Sequence, residues 1–202
     1  MKITWYGHSC FKIETEEGSV VFDPYGDGSV PGYGNLRLDA DLVLCSHEHR
    51  DHGNRDAVKL SGKETEIVVE KISTFHDEVR GAKRGLNNVH IINAEGMRVA
   101  HLGDLGCELE TEHVEKLKDI YVLMIPIGGY YTIGTRDALK LIEKIQPRVT
   151  IPMHYRDEKH GYDVISTAED FIAHCFNPVA CGSEIIVDAS TAPMTALMKP
   201  ME

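Results

Sequence analysis

The alternation of hydrophobic and polar residues predicts a chain that begins with β-strands. Residues 11–15 alternate in the way typical of a half-buried strand, and continuous hydrophobic runs at 41–46 and 120–125 predict buried strands. Glu95-Gly96 lies between two further runs and predicts a β-hairpin. The remaining predicted strands lie at residues 3–6, 19–22, 66–72, 73–75, 88–93, 97–102, 148–152 and 183–187.

A helical period is clearest in residues 135–145, where positions 138, 139, 141, 142 and 145 are hydrophobic and Pro147 follows. Shorter helices are predicted at 111–118, at 166–175 after a capping-box pattern, and near 55–60 with Asn54 as the cap. The glycine-rich stretch 25–38 predicts a long loop, and the tail after residue 187 is expected to fray.

This order of elements is compatible with two mixed sheets packed face to face with helices outside, although the pattern alone does not establish it. The 202 residues, 42% of them hydrophobic and 26% charged, fit one domain over residues 1–202.

A net charge of −11 disfavours an extended nucleic-acid surface but permits a local basic pocket. No hydrophobic run reaches membrane-spanning length. The chain begins with a strand-like segment and no signal peptide, which predicts a cytoplasmic protein. Its five cysteines show no CxxC spacing and are predicted to be reduced thiols.

The densest chemistry lies at residues 46–53, where three histidines and a carboxylate occur within six positions at the end of a predicted strand. On such a turn His47 and His49 can point one way, whereas Asp51 and His52 can face an adjacent position. Two neighbouring metal sites are therefore predicted, and the alternative is a polar surface turn.

This segment resembles the metal-binding motif of the metallo-β-lactamase superfamily. The resemblance implies an α+β fold, a four-layer αββα sandwich with the metal site at one edge between the sheets. It also implies a third histidine, a bridging aspartate and a final histidine, and His76, Asp104 and His154 occur in that order at predicted strand ends. One metal would be held by His47, His49 and His76, and the other by Asp51, His52 and His154, with Asp104 bridging. Two divalent ions are expected, Zn²⁺ or Mn²⁺, with Fe²⁺ also open.

Two further segments, 5–11 and 126–132, resemble the UlaG-like branch of the superfamily, which includes ascorbate-phosphate lactonases and metal-dependent phosphodiesterases. The resemblance implies that His8 contacts the substrate or supports the ligands, and that Tyr131 borders the substrate pocket. Asp23 is interpreted either as an acceptor for a ligand histidine or as part of a solvated turn. A homo-oligomer is left open.

The function implied is that of a metallohydrolase in which a hydroxide bound to two metals attacks a small substrate, with Asp51 as the catalytic carboxylate that orients it. The alternative is a non-catalytic, metal-stabilised domain that binds a ligand or a partner. Three basic residues in the loop after His76, at 80, 83 and 84, favour an anionic substrate. Arg84 is predicted to bind a phosphate group of the substrate, which would be a phosphodiester or a sugar-phosphate lactone. The alternative is that the basic residues belong to a solvated loop.

Overall fold

The computed structural model describes residues 1–201, and within them the chain forms two large sheets and a two-stranded ribbon. The strands are β1 (Lys2–Gly7), β2 (Cys10–Thr15), β3 (Gly18–Phe22), β4 (Leu38–Ala40), β5 (Leu42–Leu44), β6 (Val58–Leu60), β7 (Val68–Phe75), β8 (Leu86–Ala94), β9 (Met97–His101), β10 (Val122–Pro126), β11 (Val149–Met153), β12 (Pro178–Ala180), β13 (Glu184–Ile186) and β14 (Met194–Leu197). The helices are α1 (Thr111–Lys116), α2 (Thr135–Ile145) and α3 (Glu169–His174).

The first sheet has the strand order β13-β1-β2-β3-β5, and the second has the order β12-β14-β11-β10-β9-β8-β7. Alternate residues of β1, β2 and β3 point towards the second sheet, among them Trp5, Phe11 and Phe22. They pack against β10 and β11 in one buried cluster, so the main hydrophobic core lies between the sheets. The predicted sandwich of two sheets is confirmed.

The outer faces of the two sheets are covered differently. All three α-helices of residues 1–201 pack on the second sheet, through side chains such as Val114, Leu141 and Phe171. The first sheet is covered by the loop at residues 23–37 together with the β4–β6 ribbon, which bury Tyr25, Val30 and Val58. The layer on this side is therefore built from loop and ribbon rather than from a regular helix.

Two predictions next to the histidine-rich turn need correction. The strand at 41–46 shortens to β5, which is half-buried because it lies at the edge of the first sheet. The helix predicted at 55–60 is a single 3₁₀ turn at Arg55–Ala57 followed by β6, since Val58–Leu60 pairs with β4. Asn54 occupies the N-cap position of this turn, but its side chain makes no capping hydrogen bond and instead donates to the carbonyl oxygen of Tyr25 at 3.2 Å.

The C-terminal predictions also need correction. The capping box at 166–169 does not form, because α3 begins at Glu169 and its N-terminus has no side-chain hydrogen bond. The tail does not fray: Met194–Leu197 forms β14, which lies between β11 and β12 in parallel pairings. These pairings join segments that are distant in sequence, and for that reason local pattern does not reveal them.

The strand directions bring polar side chains to one edge of the sandwich. In the first sheet, β1 and β3 are each antiparallel to β2, and β5 is parallel to β3. In the second, β7 and β9 are each antiparallel to β8, and β10 and β11 continue parallel to β9. The carboxyl ends of the strands within each parallel set therefore meet. The polar residues at or after these ends are His8, Asp23, the 46–53 turn, His76, Asp104 and His154.

The approach of the sheets at this edge requires a glycine, which a matched pair of variants can test. A Cβ on Gly103 would lie 2.3 Å from Cβ of Ser46 and 2.4 Å from Oδ1 of Asn87, whereas a Cβ on Gly96 would meet nothing within 4 Å. Both glycines have positive φ, +55° and +70°. We expect Gly96→Ala to lower the free energy of unfolding by about 1–2 kcal/mol from backbone strain alone. Gly103→Ala should lower it by about 1–3 kcal/mol more because of the collision. Urea denaturation would measure both, and equal losses would show that Gly103 is not needed for close packing.

Candidate metal centre

The predicted metal-binding side chains lie together at the edge where the strands end. His47, His49 and His76 form one cluster, and His8, Asp51, His52 and His154 form a second, with the nitrogen and oxygen atoms of each cluster within 4.8 Å of one another. Asp104 lies between them. Its Oδ2 is 3.2 Å from Nε2 of His52 and 3.3 Å from Nε2 of both His76 and His154. It therefore contacts members of both clusters, as a bridging carboxylate would.

Buried polar atoms without partners show that these residues fit metal ions. Among residues 1–201, such atoms include Nε2 of His47, His52 and His154 and Oδ1 of Asp104. Leaving a buried polar atom unpaired costs about 1–3 kcal/mol, and several in one place point to a ligand. Two atoms bound to one ion at about 2.0–2.1 Å in tetrahedral geometry would be roughly 3.3 Å apart, close to the separations around Asp104. The cluster is able to bind metal, and imidazole and carboxylate donors without thiolate suit Zn²⁺, Mn²⁺ or Fe²⁺.

A buried carboxylate behind the cluster orients two of the histidines. Asp23 is fully buried; its Oδ1 accepts from the backbone N–H of Ser46 at 2.6 Å, and its Oδ2 accepts from Oγ of Ser46 at 2.6 Å. Nδ1 of His52 lies 2.8 Å from the same Oδ2, and Nδ1 of His47 lies 2.9 Å from Oγ of Ser46. The serine proton goes to Asp23, so the serine oxygen accepts from His47. Both imidazoles then carry their proton on Nδ1 and direct the lone pair of Nε2 towards the cluster.

Charge distribution in the cluster favours a cation. Burial raises the pKa of Asp23, but electrostatic interaction with the imidazoles of His52 and His101 and the hydrogen bond from His52 outweigh this effect, so the pKa lies well below the usual range. Burial lowers the pKa of His52, yet Asp104 and Asp23 bring it well above the usual value. Burial lowers the pKa of His47 to about 3, so this imidazole is neutral and able to bind metal. The carboxylates thus require positive charge, which a divalent ion supplies.

His8 lies beside the candidate ligands of the second cluster. Its side chain is fully buried, with its ring centroid 4.1 Å from that of His154 and its Nε2 3.5 Å from Oδ2 of Asp51. Neither ring nitrogen has a hydrogen-bond partner. His8 therefore lies among the candidate metal-binding groups and outside the lining of the cavity described next, and its contact with substrate stays a prediction.

A cavity of about 290 Å³ opens in front of the cluster. Arg84 and Tyr131 both line it, and the guanidinium carbon of Arg84 is 5.4 Å from the centroid of the Tyr131 ring, within cation–π range. The full lining consists of His49, Asp51, His76, Arg84, Asp104, Tyr131 and Tyr162. The two loops that carry Arg84 and Tyr131 thus meet beside the metal-binding residues.

Sequence reasoning did not identify Tyr162, which lies in an irregular segment eight positions after His154. Its hydroxyl is 2.8 Å from the carbonyl oxygen of Ser29 and 3.2 Å from Oδ2 of Asp51. Burial raises the pKa of this phenol, and the adjacent Asp51 carboxylate raises it further, so the group stays a neutral donor. It holds Asp51 against the long loop, a contact that no local pattern signals.

Comparisons with known proteins agree with this arrangement. A family model described as a beta-lactamase superfamily domain matches residues 2–154, a span that runs from before His8 to His154. A UPF0173 protein of Pyrococcus abyssi is 31% identical over 77% of this chain and 83% of its own length. A UPF0173 metal-dependent hydrolase of Methanopyrus kandleri is 27% identical, with coverage of 77% and 84%. The crystal structure of a metallo-β-lactamase superfamily protein from Thermotoga maritima has a TM-score of 0.77 and 30% identity, and the match covers 98% of this chain and 97% of that one.

The contact between Asp23 and His52 leads to a prediction about metal affinity. Asp23→Asn should weaken metal binding by roughly 10- to 100-fold, because the amide cannot accept all three hydrogen bonds or stabilise His52 in the required orientation. Competition with a chelator, followed by metal analysis, would measure the change. Asp41→Asn is a matched control, since Asp41 also accepts from a serine N–H and hydroxyl but lies just before the opposite end of β5. Equal metal affinity in both variants would contradict the role assigned to Asp23.

Proposed function

The chain belongs to the metallo-β-lactamase superfamily, and from this membership and the site geometry we propose that it is a dinuclear metallohydrolase acting on a small phosphorylated substrate. The observation that carries the proposal is the combination of two histidine clusters joined by Asp104 with an arginine on the wall of the same cavity. Among residues 1–201, no helix is both long and apolar enough to cross a membrane. Assembly into a homo-oligomer stays a prediction.

We assign His47, His49 and His76 to one ion and Asp51, His52 and His154 to the other, with Asp104 shared. When bound, two divalent ions would bring the pKa of a water from 15.7 to about 7 and stabilise negative charge that develops on the substrate. Zn²⁺ and Mn²⁺ are the preferred candidates, and Fe²⁺ remains possible for this set of ligands.

Asp51 is the proposed catalytic carboxylate. Its side chain is partly exposed to the cavity, whereas Asp104 and Asp23 are buried. Burial raises its pKa, but the adjacent imidazoles of His8 and His52 lower it by more, so the carboxylate is ionised at neutral pH. With His8 behind it and the Tyr162 hydroxyl beside it, Asp51 keeps one orientation. It can therefore accept a hydrogen bond from the attacking water and orient it towards the substrate.

Arg84 is the proposed contact for the substrate's phosphate. Among the described residues its guanidinium forms no ion pair, whereas the neighbouring Lys83 pairs with Glu78. An arginine without a carboxylate partner, in the cavity of a chain whose net charge is −11, favours an anionic ligand. Tyr131 packs beside the guanidinium and restricts its movement. A phosphodiester or a sugar-phosphate lactone would place its charged group here and its reactive atom at the metal-binding residues.

Metal-loaded protein is expected to hydrolyse a generic phosphodiester or lactone, and Asp104→Asn tests the assigned centre. The amide should lower both the bound metal per chain and kcat, because it replaces a carboxylate that contacts both clusters. Metal analysis and turnover would be measured on the same samples. Full activity with unchanged metal content would reject the shared role of Asp104. Inactivity of the unsubstituted, metal-loaded protein on both substrate classes would favour a non-catalytic binding domain.

A second prediction concerns substrate charge. Arg84→Ala should raise KM for a phosphorylated substrate by roughly tenfold or more, the loss expected for a charge-assisted hydrogen bond of about 1.5–3 kcal/mol. An uncharged ester should be little affected. Arg80→Ala is the matched control, because Arg80 is an exposed arginine of the same loop outside the cavity lining. Equal changes for both substrates, or for both variants, would reject the phosphate contact.

A further inference from the structure

The loop that follows His76 is organised around one buried carboxylate. Asp77 is 1% exposed, and its Oδ1 accepts hydrogen bonds from the backbone N–H groups of Val79 at 3.0 Å and Gly81 at 2.8 Å. Its Oδ2 accepts from the backbone N–H groups of Lys83 at 3.0 Å and Arg84 at 2.7 Å. Four amides along six residues thus converge on a single side chain, an arrangement that fixes the loop from within.

The same loop is also closed at its ends. The N–H of His76 donates to the carbonyl oxygen of Gly85 at 3.1 Å, and the N–H of Gly85 donates to that of Gly81 at 3.0 Å. Gly81 has a φ of +81°, and a Cβ there would lie 2.9 Å from the Gly85 oxygen. Because the closing bond starts at His76, the position of the loop is tied to the metal-binding cluster.

We propose that Asp77 is a positioning residue for substrate specificity, and that it holds the loop backbone so that Arg84 reaches the cavity. This inference rests on the proposed function, in which Arg84 binds the phosphate of the substrate. Arg84 is held at two points, since its N–H is bound by Asp77 and its guanidinium lies 5.4 Å and 5.9 Å from the ring centroids of Tyr131 and Tyr130. Asp77 does not line the cavity and acts only through Arg84.

A carboxylate suits this role better than an amide of the same shape. Each oxygen of Asp77 accepts two backbone N–H groups, so both ends of the side chain must be acceptors. In Asp77→Asn the new NH₂ group would face two N–H donors, and one half of the loop would lose its anchor. The neighbouring Glu78 provides a matched control: it is an exposed carboxylate of the same loop whose partner is Lys83.

The test compares Asp77→Asn, Glu78→Gln, Arg84→Ala and the double variant Asp77→Asn/Arg84→Ala, all as full-length, metal-loaded protein. The substrates are bis(p-nitrophenyl) phosphate and the uncharged p-nitrophenyl acetate. We expect Asp77→Asn to raise KM for the phosphodiester roughly fivefold or more, with kcat changed less than about twofold and metal content unchanged. Glu78→Gln should match the unsubstituted protein. In the Arg84→Ala background Asp77→Asn should add no further rise, because the guanidinium through which it acts is absent.

Other results would overturn the inference. An equal rise of KM in both backgrounds would show that Asp77 does not act through Arg84. A fall in kcat together with loss of metal would show that it acts through His76. If Asp77→Asn does not fold, Gly81→Ala distorts the same loop while keeping the carboxylate, and an unchanged KM for the phosphodiester would reject the positioning role.

Amide hydrogen exchange separates this inference from the proposed function. If Arg84→Ala leaves KM for the phosphodiester unchanged, the proposed contact between Arg84 and the phosphate is rejected, independently of the role of Asp77. Exchange of the amides at 79, 81, 83 and 84 should still be roughly tenfold or more faster in Asp77→Asn than in Glu78→Gln. Equal protection in the two variants would show that Asp77 does not hold the loop.

Discussion

The buried carboxylate of Asp23 joins the two strand ends on which the metal-binding turn depends. The parallel ladder between β3 and β5 pairs Phe22 with Leu44, so Asp23 and Ser46 extend beyond this ladder near one another. Burying a carboxylate costs several kcal/mol unless it is fully hydrogen-bonded. Here the backbone and hydroxyl of Ser46 and the imidazole of His52 meet that requirement. A charge that would otherwise destabilise the fold therefore orients His47 and His52, two of the candidate metal ligands.

A second buried polar contact ties the two sheets together at the same edge. His101 is fully buried and stacks on Phe22, with ring centroids 5.0 Å apart. Its Nε2 lies 2.9 Å from the carbonyl oxygen of Ser9, and its Nδ1 accepts from the N–H of Gly103 at 3.1 Å. With both nitrogens satisfied, the neutral ring links the turn after β1 to the turn that presents Asp104. The candidate metal-binding residues of the two sheets are thus held in fixed positions relative to one another.

The two sides of the cavity are built in different ways. The metal-binding side consists of residues at or just after strand ends, where sheet pairing and buried hydrogen bonds restrict movement. The opposite side consists of loops that carry Arg84, Tyr131 and Tyr162, and these loops are fixed by local contacts such as those of Asp77. Substitutions in the loops can therefore alter what binds without disturbing the residues that would hold the metals.

The amino-acid sequence by itself determined the hairpin at residues 95–96 and the helix over 135–145, because each depends on turn chemistry or periodicity. The candidate metal-binding residues were predicted from the 46–53 motif and its resemblance to the superfamily, and the structure brings these side chains together. The resemblance of its motifs to the superfamily, rather than periodicity, indicated the sandwich. Only the tertiary structure decided that β14 pairs with β11 and β12, that residues 58–60 form a strand, and that His8 is enclosed behind Asp51. Only the tertiary structure placed Tyr162 beside Asp51, although 111 positions separate them. The physical reason is that local propensity and spacing act over a few residues, whereas parallel strand pairing, burial and hydrogen bonds between distant loops depend on how the whole chain packs.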